Sequence, residues 1–385
     1  MQAWVADTDF WGDHVLELIS LLAASAPQLR HLEYQNPLNQ LIPASSALPA
    51  DIGRLSQLTS LQVHTGSASV STAQVAAMLK GLPSLQRLHL QSTCTPLRID
   101  RLLWNIDRLL CEIADCCPQL KDLHISGAEF GDIPSELGRL RGLTRLALPS
   151  NGISSLPESI SLLTAMQELD LIGNNCSSLP EGLSACWQLT RLALDEGMES
   201  PVNECLQSLR YLHVYGWKDR QQGQAPYWAH LTGLSGLCLS SYGPNLPQFL
   251  LEVAGLESLR SLDIRDAQLS KIPEGPYLSR LETLCLSACT CLSGVPENLA
   301  AAWQLRALDL VGLNIGIALT PSDVDLLSNL PALKNLRLFK SNQVARKVWD
   351  KRVATLKAKF AARADGAPPK ITIFKFPTSI QSVSV

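Results

Sequence analysis

Apolar residues recur along most of this chain in one spacing, Leu-x-x-Leu-x-Leu or a near copy of it, thirteen times. The copies begin at Leu29, Leu58, Leu85, Leu120, Leu143, Met166, Leu189, Leu209, Leu234, Leu259, Leu281, Leu305 and Leu333. The alternation that closes each copy is the period-two mark of a strand with one buried face. Self-similarity at intervals of roughly 20–29 residues predicts stacked units, each of which can bury its apolar face only against its neighbours. One short parallel strand per copy is therefore expected.

The middle copies are the most regular. Leu143-Thr-Arg-Leu146-Ala-Leu148-Pro-Ser-Asn151-Gly-Ile153-Ser-Ser-Leu156-Pro157 is followed by Met166-Gln-Glu-Leu169-Asp-Leu171-Ile-Gly-Asn174. A strand leads into a turn, where a buried Asn amide satisfies backbone groups that the bend leaves unpaired. The chain then returns through a Leu-Pro segment. Only Asn151 and Asn174 hold the turn position cleanly, with Cys289 in a later copy; Ala128, Gly197 and Ala267 predict irregular turns. Leu/Ile-Pro pairs recur at Ile133-Pro134, Leu179-Pro180 and Ile272-Pro273 among others. Proline suits an outer segment that donates no ladder bond.

This pattern is identified as that of a leucine-rich-repeat protein. Over roughly residues 130–310 it resembles the plant intracellular Ras-group and Shoc-type families. The resemblance implies an α/β solenoid, a leucine-rich-repeat horseshoe with about 13 parallel strands on its concave face and helical caps at its ends.

The early copies are longer and leave room for helices. Ser71-Thr-Ala-Gln74 is a capping box that opens Val75–Lys80. Ile99–Cys116 sets Leu102, Leu103, Ile106, Leu109, Leu110 and Ile113 at helical spacing. Cys116-Cys117-Pro-Gln-Leu120 and Ala26-Pro-Gln-Leu29 resemble the helix-to-strand joints of F-box-associated repeats. Both solenoid ends need closing, because each exposes a naked apolar layer and a strand edge. Residues 1–28 are expected to supply a capping helix, through Phe10-Trp11 and Val15–Leu22, ahead of a solenoid at 29–340. Residues 341–376 read as a basic helix with Trp349, Val353, Leu356 and Phe360 on one stripe, followed by a closing strand at Ile371–Phe376. Residues 377–385 read as a disordered tail.

Composition narrows the function. Apolar residues at 46% and charged ones at 17% describe a folded globular chain. A net charge of -3 argues against a nucleic-acid partner. The start lacks a basic and apolar leader, and no run of about 18 apolar residues predicts a membrane span. Eleven cysteines without paired spacing fit reduced thiols, so a cytoplasmic location is expected, with cytoskeletal, ciliary or nuclear association left open.

Residues between the leucines should face the concave surface and form columns across stacked strands. One column runs Arg87, Asp122, Arg145, Glu168, Arg191, Tyr211, and its alternating charges should stabilise neighbouring strands by about 0.2–1 kcal/mol per pair. The next holds His89, His124, Asp170, His213, Cys238, Asp263, Cys285 and Asp309, and a third contributes Asp195, Tyr215 and Arg265. Tyr211, Tyr215, Trp217 and Tyr242 are expected to supply apolar anchors, since aromatics dominate interface hot spots. Arg145, Glu168, Asp170, Arg191 and Asp195 are expected to orient the partner.

Other chemistry is weaker. His31, His64, His89 and His124 share a surface, but parallel columns do not converge on a metal by default. Cys285-x3-Cys289-x-Cys291 lacks a second spaced pair for zinc, and Cys289 should point inward. The basic helix is read as a cap, with weak binding to a membrane surface left open. No phosphate loop, nucleophile elbow or kinase set is present. No metal or other cofactor and no small-molecule substrate is expected. The reading is a non-catalytic scaffold in intracellular signalling that binds a protein on its concave face. Its alternatives are a substrate receptor of a ubiquitin ligase and a structural subunit of a large assembly such as the axoneme.

Overall fold

The computed structural model describes residues 2–6, 21–22, 24–35, 50–65, 72–92, 106–128, 130–195, 206–215, 231–240, 253, 255–266, 269, 271–272, 274–289, 292, 294–311, 319–339, 344–363 and 368–374. Two compact units divide the chain, Met1–Ser208 and Leu209–Val385.

Every one of the thirteen leucine copies produces a strand. In the first unit these are β2 (His31–Gln35), β3 (Ser60–Thr65), β4 (Arg87–Ser92), β5 (Asp122–Ser126), β6 (Arg145–Ala147), β7 (Glu168–Asp170) and β8 (Arg191–Asp195). They pair in parallel, each with its sequence neighbour, and β1 (Gln2–Ala6) adds to the edge of β2. The register is set by the buried face. Leu61, Leu88, Leu123, Leu146, Leu169 and Leu192 lie opposite one another on successive strands, and all are buried. A slip of one residue would turn each of them to solvent and forfeit about 1.5–3 kcal/mol per leucine.

The second unit repeats the scheme with β9 (Tyr211–Tyr215), β10 (Gly236–Ser240), β11 (Ser261–Arg265), β12 (Thr283–Ser287), β13 (Ala307–Leu310), β14 (Asn335–Phe339) and β15 (Lys370–Phe374), again parallel in sequence order. Strand β15 pairs where the closing strand was expected. Strand β1 has no leucine motif and was not anticipated. Of the front helix, residues 21–22 and 24–25 are helical, while Phe10-Trp11 and Val15–Ser20 lie outside the described residues.

Behind the sheet the chain returns through outer segments. Pro134, Pro157, Pro180 and Pro296 each precede a single 3-10 turn, at Ser135–Arg139, Glu158–Leu162, Glu181–Ala185 and Glu297–Ala301. Longer repeats hold α-helices: α1 (Thr72–Leu79) and α2 (Ile106–Cys116) in the first unit, α3 (Pro321–Ser328) and α4 (Arg346–Ala361) in the second. Helix α2 buries Ile106, Leu109, Leu110 and Ile113; Ser71 and residues 99–105 of the predicted helices lie outside the described residues.

Helix α3 follows no leucine spacing, but Thr320-Pro-Ser-Asp323 spells its N-terminus. The Thr320 hydroxyl accepts from the Asp323 amide, and the Asp323 carboxylate accepts from the Thr320 amide, a reciprocal capping box. Buried Asp323 also accepts from the Val295 amide at 3.1 Å, which ties the helix to the preceding repeat. Helix α4 buries Trp349, Val353, Leu356 and Phe360, packs on α3, and sends Lys359 to Asp325. The Arg363 guanidinium donates to the Leu327 and Ser328 carbonyls at the end of α3 and lies over the Phe360 ring. Basic residues thus take part in this docking as well as the apolar stripe.

The turns behave more uniformly than their sequences. Asn151 donates its side chain to the Ile125 carbonyl, and Asn174 donates to those of Leu148 and Leu171. The residue before each turn position has positive φ: Gly127 at 72°, Ser150 at 56°, Gly173 at 76°, Asp266 at 53° and Ala288 at 54°. The irregular turn expected at Ala128 is therefore not found. Its amide donates at 2.9 Å to the Asn151 side-chain oxygen, so the asparagine of the next repeat holds this turn. Gly197 and Ala267 lie outside the described residues. Cys289 is fully buried with its thiol on the Ile264 carbonyl, and so stands in for asparagine.

Candidate functional site

Strand register converts the residues between leucines into rows on the sheet face. In the first unit the opening residue of each strand forms the row His31, Ser60, Arg87, Asp122, Arg145, Glu168, Arg191. From Arg87 onward the signs alternate and the side chains meet. Arg87 Nε lies 3.3 Å from Asp122 Oδ2, Arg145 Nε 3.3 Å from Glu168 Oε2, and Arg191 Nε 3.4 Å from Glu168 Oε1. Arg145 also reaches back to Asp122 at 3.8 Å. Each exposed pair alone contributes about 0–1 kcal/mol, but the shared carboxylates tie five side chains into one ladder.

A polar groove of about 370 Å³ runs beside this ladder, along the edge where the strands begin. Arg87, Asp122, Arg145 and Glu168 line it together with Gln86, Lys121, Thr144 and Gln167. Thr144 is held in place because its hydroxyl donates to the Lys121 carbonyl of the repeat before, as Thr59 does to Arg30.

Next to the ladder stand two histidines. The His89 and His124 rings are 5.3 Å apart, and His89 Nε2 lies 3.2 Å from Asp122 Oδ2 in a contact that misses hydrogen-bond alignment. Burial, then the charges of His89 and Arg145, push His124 down to about 4. Burial pushes the Asp122 carboxyl up, but the adjoining His89 and the Arg145 and Arg87 guanidiniums outweigh it and hold the group below the ordinary carboxylate range. His31 belongs to the first row and His64 faces Gln91 in the third, so the four imidazoles do not converge. Among the described residues no cluster of three or more His, Cys, Asp or Glu could hold a metal ion.

The remaining candidates divide between structure and surface. Asp170 accepts from the Ile172 amide at 3.1 Å. Asp195 accepts from the Gly173 and Asn174 amides at 2.8 and 2.6 Å, a turn-holding role that strand spacing did not disclose. Tyr211 and Tyr215 open and close β9 in the second unit, both half-buried. The Tyr211 ring lies across Gly236, where an added Cβ would come within 2.6 Å of it. Trp217 and Tyr242 lie outside the described residues. Further along the second unit, Cys238 is 1% exposed and Asp263, Cys285 and Asp309 continue its row. Burial pushes the Cys238 and Cys285 thiols up to about 12, which makes them poor nucleophiles and poor metal ligands. Cys285 sits on the sheet face while Cys289 points into the core, and Cys291 lies outside the described residues.

Two exposed tryptophans carry no mark in the leucine pattern. Trp187, 66% exposed, sits in the turn that leads into β8, and Trp303 holds the same position ahead of β13. Arg141 and Thr164 occupy it elsewhere, so the signal was a departure from the polar norm of the repeat.

Residues 116–378 match the family description of a leucine-rich repeat region. No curated protein matches the sequence significantly. Among solved structures, an internalin of Listeria monocytogenes is 19% identical, with 90% of this chain and 93% of that one covered at a TM-score of 0.46. A leucine-rich-repeat protein of Leptospira interrogans is 20% identical, with 95% and 100% covered at 0.40. Among the described residues no helix is long and apolar enough to cross a membrane.

Proposed function

Since the chain belongs to the leucine-rich-repeat family, we propose that it is a non-catalytic scaffold that binds a protein partner on its sheet face. The observation that carries this reading is the ladder from Arg87 to Arg191. Its three guanidiniums are roughly half exposed and are each steered through Nε by a neighbouring carboxylate. Groups held this way lose little rotamer freedom when a partner docks, which is the usual route to specificity at modest area. Arg145, Glu168, Asp170 and Arg191 in the first unit orient the partner. Tyr211 and Tyr215 in the second supply apolar area, with Trp217 and Tyr242 as further anchors. Asp195 contributes through the turn it holds.

Capture by cross-linking in extract of the native cell tests the reading. Wild-type chain is compared with Arg145→Glu/Arg191→Glu, with Tyr211→Ala/Tyr215→Ala, and with the outer-face change Glu181→Lys. Partners should disappear with the sheet-face variants and persist with Glu181→Lys. A partner set untouched by both sheet-face variants would refute the proposal.

A further inference from the structure

The ladder also has a period, and the period points to a ligand chemistry. We propose that the sheet face of the first unit reads an acidic polyproline-II segment, one whose carboxylates recur at every third residue. The inference rests on the protein-binding reading above and specifies its ligand.

Arg87, Arg145 and Arg191 open alternate strands β4, β6 and β8, with Asp122 and Glu168 opening the strands between. Neighbouring strands lie about 4.7–4.9 Å apart, so successive arginines recur at about 9.5 Å. A polyproline-II chain has three residues per turn and rises about 3.1 Å per residue, so every third side chain returns to one face after about 9.3 Å. A β-extended peptide fails the same test. Its faces alternate at every residue, so its same-side carboxylates fall at about 6.6 Å or about 13 Å.

The intervening carboxylates add discrimination. A glutamate placed one strand out of register meets Asp122 or Glu168 instead of a guanidinium, and like charges at close range are repelled. Within the row itself the balance is positive, although the chain carries -3 overall. Three guanidiniums face two carboxylates, and exposed Lys121 lines the groove beside them. A polyproline-II backbone has no internal hydrogen bonds, so its carbonyls accept from outside donors. Exposed Gln86 and Gln167 line the groove, and their side-chain amides are donors of the kind such carbonyls need.

The test uses the full chain and fluorescein-labelled synthetic peptides of four glutamates, read by fluorescence anisotropy at low ionic strength. Repeated Glu-Pro-Pro should bind at least tenfold tighter than repeated Glu-Pro, and tighter than repeated Glu-Gly-Gly, which lacks the preformed helix. Repeated Lys-Pro-Pro should not bind. Arg87→Gln/Arg145→Gln should lose at least tenfold for Glu-Pro-Pro while staying folded, with a wild-type circular dichroism spectrum and a cooperative melt. Glu168→Gln, which removes a repelling group, should narrow the gap between the two spacings. Equal affinity for both spacings, or binding indifferent to the arginine variant, overturns the inference. If extract partners vanish with Arg145→Glu/Arg191→Glu while no acidic peptide binds, the ligand chemistry fails and the sheet-face reading stands. If the extract partners are also unaffected, both fail.

Discussion

Asn151 donates its backbone amide to the side-chain oxygen of Asn174 at 3.0 Å, so the turn of one repeat is completed by the asparagine of the next. The same oxygen accepts from the Ile153 amide at 3.0 Å. Asn174 in turn donates its backbone amide to the Asp195 carboxylate. These bonds run between repeats, so each turn depends on its successor.

Unequal costs follow for the two asparagines. The Asn174 side chain serves four backbone groups, Asn151 N, Ile153 N, Leu148 O and Leu171 O, whereas Asn151 serves Ala128 N and Ile125 O. Asn174→Ala should cost about 2–4 kcal/mol and Asn151→Ala about half of that, because buried backbone groups lose their partners. Urea unfolding followed by circular dichroism should give that order; a larger loss at Asn151 would contradict it.

The left-handed residues ahead of the turns make a second pair. Ala288 carries a Cβ at φ 54°, whereas Gly173 has φ 76° and lacks room, since an added Cβ would lie 2.6 Å from Ser150 Oγ. Ala288→Gly should be neutral or raise stability by up to about 1 kcal/mol, while Gly173→Ala should lower it by more than about 1 kcal/mol. Thermal melts of the two variants check both signs.

Acid should weaken the first unit through His124. Its folded value of about 4 lies below the ordinary 6.5, so the unfolded chain binds the proton first. Stability should therefore fall as pH drops from about 6.5 toward 4, and flatten below that for this group. The lowered Asp122 adds a further loss below its ordinary range, as its folded carboxylate is protonated. Replacing His124 with Gln should remove the upper part of this slope. A slope unchanged between pH 6.5 and 4 would assign it to other groups.

Helix α4 separates packing from charge. Trp349 is 1% exposed, and Trp349→Ala should cost about 3–5 kcal/mol. Lys347→Glu and Lys351→Glu alter exposed positions and should stay within about 0.5 kcal/mol of wild type. If vesicles of anionic lipid bind the wild type and lose binding to the lysine variants at unchanged stability, the helix is more than a cap.

Some features were written plainly in the chain. Leucine spacing reports a strand directly, because burial of Leu88, Leu123, Leu146 and their equivalents admits only one register. The stripe Trp349, Val353, Leu356, Phe360 likewise reports a helix with one buried face. Helix α3 was legible in Thr320 and Asp323 and went unread, because it follows no leucine rule.

Other features belong to the tertiary structure. Strand β1 has five residues and exists because β2 offers an open edge, a condition outside its own sequence. Ala128 keeps a regular turn only because Asn151 lies one repeat away. Asp195 looked like a surface ligand, but the neighbouring turn brings two backbone amides to its carboxylate. By itself, the sequence determined which residues are buried and which share a row, since that follows from period and hydrophobicity along one strand. Only the tertiary structure decided which polar groups remain available, because each is satisfied or left open by a side chain or amide from the adjoining repeat.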